Sequence, residues 1–392
     1  MSQTVLVTVT GLDKPGITAG ILHILAATDA AVLDMEQVVV RNRLNLGILV
    51  GLDAGRPPLK DLLYFGWERG LHIDFQVVED EEAPPPPRFA VTVIAQDVTP
   101  ASLAGVADAI VAGGGNIDRI LRLARYPVLS YELIVEGGEM RELREKLLLA
   151  SSAHRVDVAI QPEGLARRAK RLVVIDMDST LIRDEVIDLL ADEAGVGDEV
   201  RRLTHEAMTG GLDFAESLRR RVALLAGLDA ATLTAVAERI TLTPGARTFA
   251  RTLRRLGYRT AIVSGGFDVF ANQVKDRLGI DAAHANHLVI ENGRVTGEVA
   301  GDIIDGPAKA HLLHRIAAEE GIPIEQTVAV GDGSNDLDML SQAGLGIAFN
   351  AKPVVDAAAD TTLKVPYLDA ILFLLGIRRE DIEAADRMPG GV

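Results

Sequence analysis

Cysteine is absent from the 392 residues, which excludes disulfides, thiolate nucleophiles and Cys-ligated zinc or iron–sulfur centres. Aromatic residues make up only 4%, too few for a stacking platform along single-stranded nucleic acid. Positive charge is also short. Against 56 Asp and Glu stand 40 Lys and Arg, a formal net charge of −16, so a general nucleic-acid binder is excluded and a small anionic ligand would need a local basic pocket. No uncharged run reaches membrane-spanning length, and the start MSQTVLVTVT lacks the charged n-region, apolar run and cleavage site of a signal peptide. The expectation is a soluble, cytoplasmic protein without a membrane partner. Core-forming material is plentiful: with 48% hydrophobic and 24% charged residues the chain can fold throughout, and its length predicts two or three compact units.

Glu79 to Arg88, EDEEAPPPPR, joins an acidic cluster to four prolines that favour extended polyproline geometry, and predicts a linker over 81–88. The segments on either side resemble each other. VLVTVTGLD near residue 5 and FAVTVIAQD near residue 89 each predict an alternating strand running into a helix. AAVLD ending at Asp34 matches GGNID ending at Asp118, a repeat of about 84 residues. Each copy continues into alternating segments, EQVVVRNRLNLGILVGLD and ILRLARYPVLSYELIVEG. The pattern predicts two α+β modules, 1–80 and 89–165, each an antiparallel sheet with helices on one face. From Leu172 the character changes to short apolar runs that end in acidic or Gly/Ser residues: RLVVIDMD, RTAIVSGG and TVAVGDGSND. These read as buried parallel strands and predict a doubly wound α/β domain over 166–392, with ligands gathered at the strands' C-terminal ends. The stretch at about 184–257 is helical in character and predicts a lid over those ends. Asn292-Gly293, between alternating segments, predicts a hairpin.

Asp176-Met177-Asp178-Ser179-Thr180 follows the first apolar run directly. Two carboxylates separated by one residue at a strand end can divide the labour, one attacking phosphorus while the other protonates the leaving oxygen and then activates water. A DxD pair alone is common among solvated loop acids, but here it has partners in order. Ser264-Gly265-Gly266 closes the second run, with a hydroxyl and unobstructed N–H groups able to cradle a phosphoryl group. Lys309 opens a helical run and can neutralise charge on transferring oxygens. Gly331-Asp332-Gly333-Ser334-Asn335-Asp336 closes the third run and offers oxygen ligands to a hard cation.

Together these segments resemble the haloacid dehalogenase superfamily, and DMDSTLIRDEVID, MTGGLDFAESLRRRV and SGGFD resemble its phosphoserine phosphatases, over roughly Arg171 to Leu375. The resemblance implies that Asp176 is the nucleophile that becomes aspartyl-phosphate and Asp178 the acid and base. It places Mg²⁺ on the Asp176 carboxylate, the Asp178 carbonyl and Asp332, with Asp336 in support. It also implies that Glu185 takes the substrate ammonium and Arg221 its carboxylate, that Met208 and Phe214 wall the pocket, and that Asn335 reaches the phosphate side. A zwitterion needs one anion and one planar bidentate cation, so this division is physically sound. The implied activity is hydrolysis of phosphoserine, the last step of serine biosynthesis. Its rivals are a phosphatase or phosphotransferase on another small phosphoamino acid, such as phosphohomoserine or phosphothreonine, and a non-catalytic serine sensor; the intact Asp176, Asp178, Lys309 and Asp332 set speaks against the latter.

VTGLDKPGITAGI resembles the opening of ACT modules, which bind small amino acids at paired interfaces. It implies that Gly11, Asp13, Pro15 and Gly16 form a turn for a regulatory ligand, serine or a related amino acid, and that the chain is a homodimer or higher homo-oligomer. The second copy has Gln96-Asp97-Val98-Thr99-Pro100 instead and lacks the Pro-Gly pair. Other motifs fail. The run from Asp332 has Leu337 where a calcium loop needs Gly, and Gly331-Asp332-Gly333 lacks the third glycine of a dinucleotide fingerprint. His284 with His287, and His311 with His314, lack the HExxH context or Cys partners of a zinc site.

Overall fold

The computed structural model describes residues 3–28, 30–52, 58–78, 85–208, 213–351, 355, 359 and 361–387. Most of the linker expected at 81–88 lies outside them. The chain divides into two compact units, Met1–Pro85 and Pro86–Val392.

In the first unit, β1 (Gln3–Leu12), β2 (Ala31–Val40), β3 (Arg43–Leu52) and β4 (His72–Val78) form an antiparallel sheet in the order β2-β3-β1-β4. Strand periodicity puts Val5, Val7 and Val9 on one face, where they meet Ile17, Ile21 and Leu25 of the helix Ile17–Ala26, spaced four apart on one helical stripe. In the second unit, β5 (Arg88–Ala95), β6 (Gly115–Ala124), β7 (Leu129–Gly137) and β8 (Asp157–Pro162) repeat the topology as β6-β7-β5-β8. The internal repeat is therefore one βαββαβ plan used twice.

The copies differ in what covers the open face. In β1 the residues between the buried valines are at least partly exposed, whereas β5 is buried on both faces from Phe89 to Ala95. Ile94, where the first copy has Thr10, joins a continuous core with Val365, Leu374 and Ile382 of the C-terminal region. Polar contacts reinforce this junction: Asp157 accepts from the N–H groups of Lys364 and Val365 at 2.7 and 3.1 Å, Gln161 Nε2 donates to Leu374 O at 3.0 Å, and buried Arg167 pairs with Glu132 and Glu163. Where the sequence divides near residue 165, the chain packs as one unit.

The remaining strands, β9 (Leu172–Ile175), β10 (Arg259–Phe267), β11 (Ala282–Glu291), β12 (Arg294–Ala300), β13 (Thr327–Gly331), β14 (Gly346–Phe349) and β15 (Thr361–Leu363), form one sheet ordered β12-β11-β10-β9-β13-β14-β15. All neighbours are parallel except the β11–β12 hairpin, where Asn292 and Gly293 both take positive φ, 49° and 76°. Val173 and Ile175 face one core and Leu172 and Val174 the other, as a sheet covered on both sides requires. β9 lies between β10 and β13, so their C-terminal ends converge on one crevice, the place where such sheets bind ligands.

Between β9 and β10 run the helices Val186–Glu193, Gly197–Met208, Phe214–Ala223 and Ala230–Arg239. A fifth, Ala246–Arg255, falls in the stretch read from sequence as lid but packs against β10 and the helix Asp268–Leu278. Its buried Phe249, Ala250 and Leu253 satisfy the helical period equally well on a sheet or in a lid, which is why the pattern alone did not separate them.

Candidate active site

Asp176 leaves the end of β9, its N–H donating to Val330 O of β13 at 2.9 Å. The chain then makes a wide turn in which Ile182 N–H closes on Met177 O at 3.0 Å and Ser179 adopts φ 56°, the left-handed region that non-glycine residues enter at a cost. This turn brings Asp178 back over the strand end. Its Oδ1 accepts from Val186 N–H at 2.9 Å and its Oδ2 from Ser264 Oγ at 3.2 Å. Ser264 Oγ in turn accepts from Gly266 N–H at 2.9 Å. A Cβ on Gly266 would stand 2.6 Å from Asp178 Oδ2, so this close approach requires glycine.

Beneath lies a charged cluster. Lys309 is fully buried, and its ammonium bonds Asp176 Oδ1 at 2.8 Å and Asp336 Oδ1 at 2.7 Å. Asp336 Oδ2 accepts from Gly333 N–H at 2.9 Å, and Asp332 Oδ1 accepts from Thr180 Oγ1 at 3.2 Å. Carboxylate oxygens of Asp176, Asp332 and Asp336 all lie within 4.8 Å of one another. Three buried acids facing one lysine carry excess negative charge. Burial, then Asp336, pushes Asp176 well up despite Lys309; burial, Asp336 and Glu185 push Asp332 to about 7; burial and Glu185 push Asp178 to about 7. Burial alone would lower Lys309, but Asp176 and Asp336 outweigh it and raise it.

The cluster floors a cleft of about 900 Å³ roofed by the inserted helices. Glu185, at the N-terminal end of the helix Val186–Glu193, and Arg221, on Phe214–Ala223, both line it. Glu185 Oε1 accepts from Ser179 Oγ at 2.9 Å. Arg221 donates to Thr204 Oγ1 at 3.3 Å and Ser217 O at 3.4 Å; burial lowers its pKa against the opposing pull of Glu185, Asp188 and Asp178. Phe214 closes over the glycine loop, where a Cβ on Gly265 would meet its Cζ at 3.0 Å. An acid and base over a buried acidic floor, beneath a roof that sets Arg221 among the carboxylates of Glu185, Asp188 and Asp213, can hold a zwitterion by one end and a phosphoryl group by the other.

Known proteins match in the same layout. Residues 173–341 match the haloacid dehalogenase-like hydrolase model, and 3–76 and 88–161 each match an ACT domain model. A phosphoserine phosphatase of Streptomyces coelicolor is 50% identical over 98% of this chain and 95% of its own. The chain belongs to the phosphoserine phosphatase family of haloacid dehalogenase-like hydrolases. Two solved structures are similar to its C-terminal half. One is described as a phospho-aspartyl intermediate analogue of phosphoserine phosphatase (46% identity, TM-score 0.50) and one as a substrate-bound phosphoserine phosphatase complex (45%, 0.51); each covers 53% of this chain and 99% of that one. Phosphatases of this family are generally metal dependent, in keeping with the buried aspartate cluster.

The structure gathers Asp176, Asp178, Glu185, Phe214, Arg221, Gly265, Gly266, Asp332 and Asn335 around the cleft. Ser264 and Lys309 stand behind its wall, and the Lys309 ammonium is engaged by the two aspartates. Met208 ends the helix Gly197–Met208, but its side chain lies outside the described residues. Gly11, Asp13, Pro15 and Gly16 lie in the other unit, on the end of β1 and the turn before the helix Ile17–Ala26. Gly16 has φ 89°, and Gly11 is packed so that a Cβ would meet Leu71 Cδ2 at 2.6 Å. In the second copy Thr99 instead caps the helix Pro100–Ala112, accepting from Ser102 N–H at 3.1 Å. Sequence reasoning missed Thr180, which the spacing from Asp176 could have marked, and Thr204 and Asp188, which carry no signal until the roof is folded.

Proposed function

We propose that this chain hydrolyses O-phosphoserine to serine and phosphate with Mg²⁺, through a phosphoryl group carried on Asp176, as the last step of serine biosynthesis in the cytoplasm. One observation carries the reading: Asp176 and Asp178 open into the same cleft as Glu185 and Arg221. An Asp176 carboxylate oxygen attacks phosphorus while the seryl Oγ leaves with the Asp178 proton. Asp178, now anionic, takes a proton from water, whose oxygen attacks the phosphoryl group and frees Asp176. A pKa near 7 suits a group that must give and take a proton near neutrality. Gly265 and Gly266, lacking side chains, leave the loop open to the phosphoryl oxygens, Asn335 borders them, Phe214 walls the pocket, and Lys309 orients Asp176.

The donor set fits magnesium, being all hard oxygen, buried and anionic beyond what Lys309 neutralises. Asp176, Asp332 and the Asp178 carbonyl would hold the ion, while Asp336, with both oxygens engaged by Lys309 and Gly333, supports from behind. When bound, the ion screens repulsion between the anionic nucleophile and the anionic ester.

In the same reading the modules at 1–80 and 89–165 are regulatory and make the chain a homo-oligomer, with serine or a related amino acid at the Gly11, Asp13, Pro15 and Gly16 turn. The edge strand β2 supports assembly: it is exposed along its whole length, including Val32, Leu33, Met35 and Val38 to Val40. No described helix is long and apolar enough to cross a membrane. Phosphate release from phosphoserine, with and without Mg²⁺, tests the reading alongside Asp176→Asn and a panel including phosphothreonine and phosphohomoserine. Phosphoserine turnover lost in a folded Asp176→Asn variant is expected. Retained turnover removes Asp176 as nucleophile, and preference for another phosphoamino acid replaces the substrate.

A further inference from the structure

β10 and β11 run in register through Val263↔His284, then resume at Phe267↔Asn286. Three residues of β10, Ser264, Gly265 and Gly266, thus stand opposite the single Ala285, and the surplus is pushed out of the ladder. A bulge of this kind frees backbone groups to face a ligand but strips others of their sheet partners. One stripped group is the Gly265 carbonyl.

Asn286 takes up that group. It is 1% exposed; its Nδ2 donates to Gly265 O at 2.8 Å and its Oδ1 accepts from Ile304 N–H at 2.8 Å. The amide orientation is determined, since one neighbour is a carbonyl and the other an N–H. Ile304 passes directly beside the bulge, its carbonyl 3.5 Å from where a Gly265 Cβ would lie. The next residue, Asp305, caps the helix Gly306–Glu319 by accepting from Ala308 N–H at 3.0 Å, and that helix carries Lys309 against Asp176. One buried amide thereby joins the glycine loop to the start of the lysine helix.

We infer that Asn286 is a positioning residue of the phosphoryl pocket, holding the Ser264–Gly266 bulge and the Ile304–Asp305 segment at a set separation so that the glycine loop meets the phosphoryl oxygens. The inference rests on the phosphatase reading above and names a residue outside its motifs. Asn286 touches neither nucleophile nor acid, so it acts through Gly265. Because that loop faces the phosphoryl group and not the amino-acid end, loss of Asn286 affects every phosphomonoester alike.

Asn286→Asp tests this on the full chain, since it keeps shape and the acceptor for Ile304 but sets a carboxylate oxygen against Gly265 O. The expected result is inorganic phosphate affinity, by calorimetry with Mg²⁺, reduced roughly tenfold or more, with kcat/KM for phosphoserine and phenyl phosphate reduced by one common factor. Asn286→Ser, whose small neutral hydroxyl can serve only one of the two loops, gives the same result where the Asp variant does not fold. A merely structural role would lower Tm and leave the phosphate affinity of the folded protein unchanged, and that outcome, or loss confined to phosphoserine, overturns the inference. Failure of the unmodified chain to bind phosphate or turn over any phosphomonoester overturns instead the reading on which it rests.

Discussion

On the proposed reading, Arg221→Lys separates recognition of the amino-acid end from chemistry at phosphorus. The guanidinium is half-buried on the helix Phe214–Ala223 and already donates to Thr204 and Ser217, so its plane is held while it faces the cleft. Lysine keeps the charge and much of the stem but replaces a planar fork with a point donor, removing one of two parallel bonds to a carboxylate. A hydrogen bond to a charged group contributes about 1.5–3 kcal/mol, so kcat/KM for phosphoserine should fall roughly 10- to 150-fold. Phenyl phosphate has no carboxylate, and its kcat/KM should stay within about threefold. Arg220→Lys on the same helix is the control: Arg220 pairs with Glu216 in solvent, a contact contributing about 0–1 kcal/mol, and neither substrate should respond. Equal losses on both substrates, or an Arg220 effect of similar size, would refute the assignment.

Glu185→Gln should also impair phosphoserine selectively. It removes a charge that raises Asp178, so the alkaline limb of the aryl phosphate pH profile should move to lower pH; an unmoved limb argues against that coupling. Gly266→Ala places a methyl group 2.6 Å from Asp178 Oδ2, and at least a tenfold drop in kcat with little change in Tm is expected, whereas wild-type kcat would show that Asp178 tolerates displacement. In the metal-free chain Asp178 and Asp332 stand near 7 against an ordinary 3.8; a raised folded-state acid loses stability as pH climbs from about 4 to about 7, so Mg²⁺ should raise Tm more at about pH 8 than at about pH 5. Equal increments at both pH values would exclude the cluster as the ion's site. A chain beginning at Ala166 uncovers Val365, Leu374 and Ile382 and leaves two backbone N–H groups without Asp157, at about 1–3 kcal/mol each, so it should unfold at lower temperature and bind ANS, unlike a chain beginning at Pro86. Matching melting curves would refute the shared core.

Much of the architecture was legible because local patterns have local causes. Alternation at Val5, Val7 and Val9 is the pleat of a strand with one covered face, continuous burial from Leu172 to Ile175 is that of a strand covered on both, and Asn292-Gly293 supplies the two positive φ values a tight hairpin needs. Acids and glycines at the ends of three apolar runs had to converge once those runs became neighbouring parallel strands.

Tertiary structure alone decided the rest. Periodicity reports that a residue is buried, never against what, so the helix Ala246–Arg255 read as lid, and nothing local marked Ile94, in place of the first copy's Thr10, as the point where the second module fuses with the C-terminal core. The surplus residues of β10 show only in register with β11, which is why Asn286 had no signal. Lys309 could be read as a cation near phosphate, but only packing shows its ammonium between Asp176 and Asp336, because charge balance in a buried cluster is a sum over residues far apart in sequence.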